Sequence, residues 1–94
     1  MGKWEFSFPI NGLHDVIKQN DPKKDPTIKF DEVLFYYDED NKRVGTVTIE
    51  ANTFEEAENE SKYLIDKTLG KICSAFNTEA SIFPDPYYVD LTRN

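Results

Sequence analysis

The sequence predicts an α+β domain: a mainly antiparallel sheet of four to five strands with one long helix, about residues 53–77, packed on one face. Three observations predict it. Lys3–Ile10 alternates apolar and polar residues with a period of two. Thr53–Asn77 repeats apolar residues at spacings of three and four. Two strand-like runs, Ile28–Tyr37 and Val44–Ala51, flank the strongly polar Asp38–Arg43. With 94 residues and one such set of elements, the chain reads as a single domain, 1–94.

In the first strand Trp4, Phe6, Phe8 and Ile10 share one face, and Lys3, Glu5, Ser7 and Pro9 the other. Pro9 lacks an N–H, which suits a strand end or an edge, and Asn11-Gly12 is expected to end the strand. Leu13–Gln19 has the spacing for about two helical turns, a length that depends on tertiary packing. Asn20–Thr27, with Pro22 and Pro26, reads as a polar loop. Ile28–Tyr37 is read as one strand, with Asp31-Glu32 marking a bulge or a late start. Val44–Ala51 pairs with it through a hairpin. A loop centred on Asp40-Asn41 sets Asp38 opposite Arg43 as an exposed pair, Tyr37 opposite Val44 and Leu34 opposite Val47.

Thr53 and Glu56 form the capping-box pattern at the start of the helix. Glu55, Glu56, Glu58 and Glu60 come early, and Lys62, Lys67 and Lys71 late, which complements the helix dipole. Glu58 and Lys62 are placed for an i,i+4 pair. The apolar stripe is Ala57, Leu64, Ile65, Leu69, Ile72, Cys73 and Phe76, with Ser61 and Thr68 filling gaps. Gly70 interrupts it at a cost of about 1 kcal/mol against Ala; it allows close approach of another backbone or marks a kink. After the helix, Ala80–Phe83 is a short apolar run, Pro84-Asp85-Pro86 turns or extends the chain, and Tyr87–Leu91 reads as a final strand. If Leu13–Gln19 is helical, the order becomes β-α-β-β-α-β, a ferredoxin-like split.

Val33–Tyr37 is apolar on both faces. If one face lies on the helix, the other carries Val33, Phe35 and Tyr37, near Val44 and Thr46. These five residues are the candidate interface, with Leu34 and Tyr36 beside them, since a large exposed apolar patch marks a contact surface. The competing expectation is that Leu13–Ile17 or the C-terminal tail covers this face.

Charge and composition narrow the function classes. The net charge is −7, and the tightest basic pair, Lys23-Lys24, lies between Asp21 and Asp25. Phosphate contact needs a basic patch, so direct nucleic-acid binding is not expected. One cysteine excludes an internal disulfide and a cysteine-rich zinc site. No apolar stretch is long enough for a signal peptide or a membrane span, so a cytoplasmic location is expected.

His14 is the sole histidine, and Ser7, Ser61, Ser74 and Ser81 carry no nucleophile motif. Cys73 lies on the apolar stripe, where a thiol is normally inert. Asp38, Glu39, Asp40 and Asn41 lack the spacing and glycine of a calcium loop. The helix glutamates lack the Glu-x-x-His pair of a di-metal site. No cofactor and no enzymatic activity are expected. A small-molecule pocket, the alternative, would be lined by Trp4, Phe6, Tyr36 and Tyr63 with His14 as its polar group.

The segment Ala51–Ile82, with ANTFEEAENE leading into the long helix, resembles N-terminal sheet-and-helix domains of proteins that carry a HEPN-type helical domain further on. Phe8–Leu13 (FPINGL) fits the same likeness. It covers about half of the chain and implies a non-catalytic accessory role. The Arg-x-x-x-x-His signature of the HEPN part is absent. Thr53–Ala57 also resembles the T-x-E-E-A helix start of HicB-like antitoxins, although no DNA-binding helix pair follows. That likeness implies an inhibitor of a basic partner. The expected function is a non-catalytic interaction or assembly module, forming a homo-oligomer or docking on a larger protein.

Overall fold

The structure, a computed structural model, describes residues 1–12, 28–37 and 42–92. Among these residues it is α+β, with six strand segments in one antiparallel sheet and one helix packed across it. In chain order these are β1 (Gly2–Gly12), β2 (Ile28–Phe30), β3 (Val33–Tyr37), β4 (Arg43–Ala51), α1 (Phe54–Phe76), β5 (Ala80–Ile82) and β6 (Tyr87–Asp90). The rows run β2-β3-β4-β1-β5, and β6 pairs with β1 on the same side as β5. The sheet therefore has five rows.

β4 lies between β1 and β3 and is antiparallel to both. β1 and β3 thus run parallel with β4 splitting them, the arrangement a ferredoxin-like chain needs. The connection that would carry its first helix, including the expected Leu13–Gln19 helix, lies outside the described residues. No helix among the described residues is long and apolar enough to cross a membrane.

β1 follows its alternation. Phe6, Phe8 and Ile10 are buried beneath α1 and Trp4 is half-buried at the same face. The strand continues through Asn11 and Gly12, two residues past the expected stop. Gly12 has φ +89°, and a Cβ there would run into the Glu79 carbonyl. Pro9 sits inside the strand. Its carbonyl accepts from Phe83 N–H at 2.9 Å, so its missing N–H also points towards β5 and costs no bond to β4.

The run Ile28–Tyr37 is two strands, not one. β2 and β3 pair with Phe30 opposite Val33, leaving Asp31-Glu32 as a two-residue hairpin turn. Asp31 takes φ 54°, a conformation Asp tolerates better than most residues. Lys71 Nζ reaches the Asp31 carboxylate at 3.1 Å and ties this turn to the helix.

The register of β3 on β4 is also offset by one from expectation. Tyr36, not Tyr37, faces Val44; Leu34 faces Thr46; and Tyr37 faces Arg43. Arg43 is only 2 % exposed, so its side chain is not at the surface as expected; its expected partner Asp38 lies outside the described residues. The physical reason is Gly45. It is paired with Phe8 on one side and Phe35 on the other. A Cβ at Gly45 would sit 3.0 Å from the Phe35 ring and 3.5 Å from Ile65 of α1. A residue with a side chain there would press on the Phe35 ring, so glycine gives that ring its closest fit under the helix.

α1 has the expected ends. Thr53 is the N-cap and its Oγ1 accepts from Glu56 N–H at 3.2 Å. Asn77 closes the helix in the left-handed region, with its N–H and that of Thr78 both donating to the Cys73 carbonyl. Ala57, Ser61, Ile65, Thr68, Leu69 and Ile72 are buried along one stripe. Ser61 satisfies its hydroxyl on the Glu58 carbonyl at 2.7 Å. Glu58 and Lys62 approach to 3.8 Å on the outer face.

Phe35→Ala is expected to lower the unfolding free energy by about 3–5 kcal/mol, because it opens a cavity beneath Ile65. Leu34→Ala, one residue away on the opposite face, should cost about 1 kcal/mol or less. Urea denaturation of the two variants reads the difference. Equal losses would contradict the observed assignment of faces.

Candidate interaction surface

The five residues expected to form one interface do not share a face. Val33 is 1 % exposed and Phe35 0 %, both within the continuous core under α1. Val44 is 5 % exposed and stands on the opposite side of the sheet, apart from that core. Thr46, on Val44's side, is half-buried and held by hydroxyls. It lies 2.9 Å from Ser7 Oγ and donates to Tyr36 OH at 3.3 Å. Tyr37 is placed by its backbone pairing with Arg43, and its side chain lies outside the described residues. The expected exposure of Val33 and Phe35 is thereby corrected: the helix packs on their face, not on the other one.

The expected pocket is not assembled either. Trp4 and Phe6 lie on the helix side of the sheet, whereas Tyr36 pairs with Val44 on the other. Tyr63 is on the outer surface of α1, with Lys67 Nζ 5.8 Å above its ring. His14 is outside the described residues. Trp4 and Phe6 instead meet Phe54, the first helical residue, with ring centroids at 5.9 and 5.6 Å. Tyr88 of β6 stacks on the same Phe54 at 4.6 Å. Phe54 was not part of the sequence-derived stripe; its place directly after the N-cap, at the start of the apolar run, was the available signal.

A cleft of about 620 Å³ opens between Asn11-Gly12, the second half of α1 and Thr78–Ser81. Gly70 lies on its wall, exposed, with nothing within 4 Å of the position a Cβ would take. Among the described residues, close approach of another part of the chain therefore does not account for Gly70. Cys73 lines the same cleft. Burial pushes its thiol above the ordinary range, the bond with the Ala80 backbone pulls it down, and the Glu79 carboxylate raises it further. Among the described residues no group of His, Cys, Asp and Glu is arranged to hold a metal ion.

The exposed apolar surface lies elsewhere. Phe83 is 50 % exposed, Tyr87 73 %, Tyr88 56 % and Val89 55 %. The other large exposed hydrophobics among the described residues, Met1, Leu34 and Tyr63, are scattered. Four exposed apolar side chains among the described residues thus fall within seven residues of the β5–β6 edge. Tyr87 and Val89 pair with Ser7 and Glu5, which places them on the face away from α1, while Tyr88 pairs with Phe6 on the helix face. The final strand was legible in the sequence but its exposure was not. The Pro-Asp-Pro just before it was the signal, since prolines are confined to edges and an edge strand has one neighbour only.

No family model matches the chain, and neither the curated proteins nor the solved structures contain a match to it.

Two outcomes are expected at the cleft. Gly70→Ala should stabilise the fold by about 1 kcal/mol, because the new methyl meets nothing and the helix gains propensity; calorimetric or urea unfolding measures it. The Cys73 thiol, with its raised pKa, should alkylate with iodoacetamide more slowly than glutathione at neutral pH and accelerate as the pH rises. A rate equal to or above that of glutathione would contradict the effect of burial.

Proposed function

We propose that this chain is a protein-interaction module without catalysis of its own, and that it meets its partner through the edge segment Phe83–Val89. One observation carries this reading: of the seven large exposed hydrophobics among the described residues, four fall within Phe83–Val89. A small domain gains little in stability from displaying two tyrosines, a valine and a phenylalanine to water within seven residues, and exposed apolar surface of this kind is typical of contact sites. The likeness of Ala51–Ile82 to accessory domains preceding HEPN-type helical domains supports a role of the same class. Tyrosine suits this use, since it adds large contact area at a low entropic cost.

Placing a photo-crosslinking amino acid at position 87 or 89, and separately at position 63, tests the reading in cells that express the chain. Adducts of defined mass are expected from positions 87 and 89. Tyr63 is equally exposed but belongs to no patch, so position 63 should give none. Equal labelling from all three positions, or no adduct from 87 and 89, would rule out the proposed surface.

A further inference from the structure

We infer that Asn11-Gly12 is a modification site, where Asn11 loses its side-chain amide spontaneously, and that the pairing of β5 with β1 sets the rate. The chemistry belongs to this dipeptide. The Gly12 backbone nitrogen attacks Cγ of Asn11. The N–Cγ bond forms, the Cγ–Nδ2 bond breaks, and ammonia leaves with the Gly12 amide proton. Water then opens the cyclic imide. Addition at Cγ leaves an aspartate at position 11. Addition at the backbone carbonyl carbon leaves an isoaspartate, with the chain routed through the former side chain. A side chain on the following residue hinders the attack, and glycine has none. Every other internal asparagine of the chain is followed by Asp, Lys, Thr or Glu.

The fold both keeps this dipeptide and exposes it. Gly12 has φ +89°, and the Glu79 carbonyl lies 2.5 Å from where a Cβ would stand, so position 12 needs glycine. Asn11 and Gly12 are both exposed. Among the described residues no hydrogen bond holds the Asn11 side chain, so its amide can turn towards the Gly12 nitrogen.

The ladder restrains the backbone instead. Phe83 N–H donates to the Pro9 carbonyl at 2.9 Å, and bonded pairs alternate along an antiparallel ladder, so Asn11 and Ser81 are the next bonded pair. Asn11 is thereby held extended, whereas the five-membered imide ring requires a backbone angle outside the extended range. Ring closure waits until Asn11 parts from Ser81. β5 is three residues long and has β1 as its one neighbouring strand among the described residues. So short a pairing at the edge of a sheet opens far more often than the core strands do. The isoaspartate product cannot return to the ladder unchanged. It places one extra backbone atom between positions 11 and 12, where Gly12 already sits against Glu79 and Ala80. Each event also adds one negative charge to the −7.

The test incubates the full chain in mildly alkaline buffer beside a capped peptide of sequence FPINGL. Peptide mapping by mass spectrometry follows deamidation at each asparagine, and labelling by an isoaspartate methyltransferase counts the isoaspartyl product. Conversion is expected at position 11 ahead of Asn52, Asn59 and Asn77, about ten- to thirtyfold slower than in the peptide. Ser81→Pro, which removes one of the two bonds to Asn11, should speed it severalfold towards the peptide rate. Ser81→Gly, which loosens β5 and keeps both bonds, should speed it less. Unchanged hydrogen exchange at the Phe6 and Val47 amides shows that a variant keeps its core; if Ser81→Pro loses that protection, Ser81→Gly alone decides. No conversion at position 11 over about a hundred peptide half-lives, or conversion no faster than at Asn77, would overturn the site. A rate equal to that of the peptide, or one that a folded variant does not move, would overturn the control by β5.

Discussion

The fit of Gly45 between Phe8 and Phe35 is the constraint on which the rest of this structure depends. Three central strands meet at this point, and Ile65 of α1 comes down on it from above. A side chain at position 45 would have to displace a ring or lift the helix. Because it has none, the Phe35 ring and Ile65 both approach position 45, and Ile65, Leu69 and Ile72 of α1 close over Phe8 and Phe35 in one core. The pairing of β3 on β4 follows from that fit. So does the identity of the covered face, and with it the position of everything left outside.

Much of the fold was legible because it rests on local rules. The alternation of β1, the cap at Thr53 and the stripe from Ala57 to Ile72 each depend on a few residues acting within one element. Each is present in the structure. The register of the central hairpin was not legible, since it depends on the volume of a residue across the strand. Read by its polar turn alone, Asp38–Arg43 admits two pairings one residue apart. A shift of one exchanges every neighbour across the ladder. Choosing the face of β3 carried the same difficulty: both faces are apolar, so pattern could not say which one the helix covers.

The candidate surface was lost to the same cause in reverse. Apolar content drew attention to Val33–Tyr37, which is the richest run in the chain. A rich run in the middle of a sheet has neighbours on both sides and a helix above it, so its apolar side chains have somewhere to go. β3 lies between β2 and β4, and Val33 and Phe35 are accordingly buried. β6 has fewer apolar residues and, among the described residues, a single neighbouring strand; its one inward ring, Tyr88, meets Phe54 and Phe6. Exposure is set by position in the sheet order, and sheet order is a property of the whole chain.

The edge at β6 also differs from an edge that is simply protected. Short length, prolines and a bulge are devices that discourage pairing between sheets, and all three occur between Ile82 and Tyr87. They stop short of Tyr87, however, and the residues that follow are those with the highest tendency to form strands. A chain selected only to keep this edge unpaired would place charge at positions 87–89, where each side chain already faces water. It places two tyrosines and a valine there instead, with the acidic residues set to either side. The devices that discourage pairing thus lie upstream of Tyr87, and the exposed strand-forming side chains lie after them.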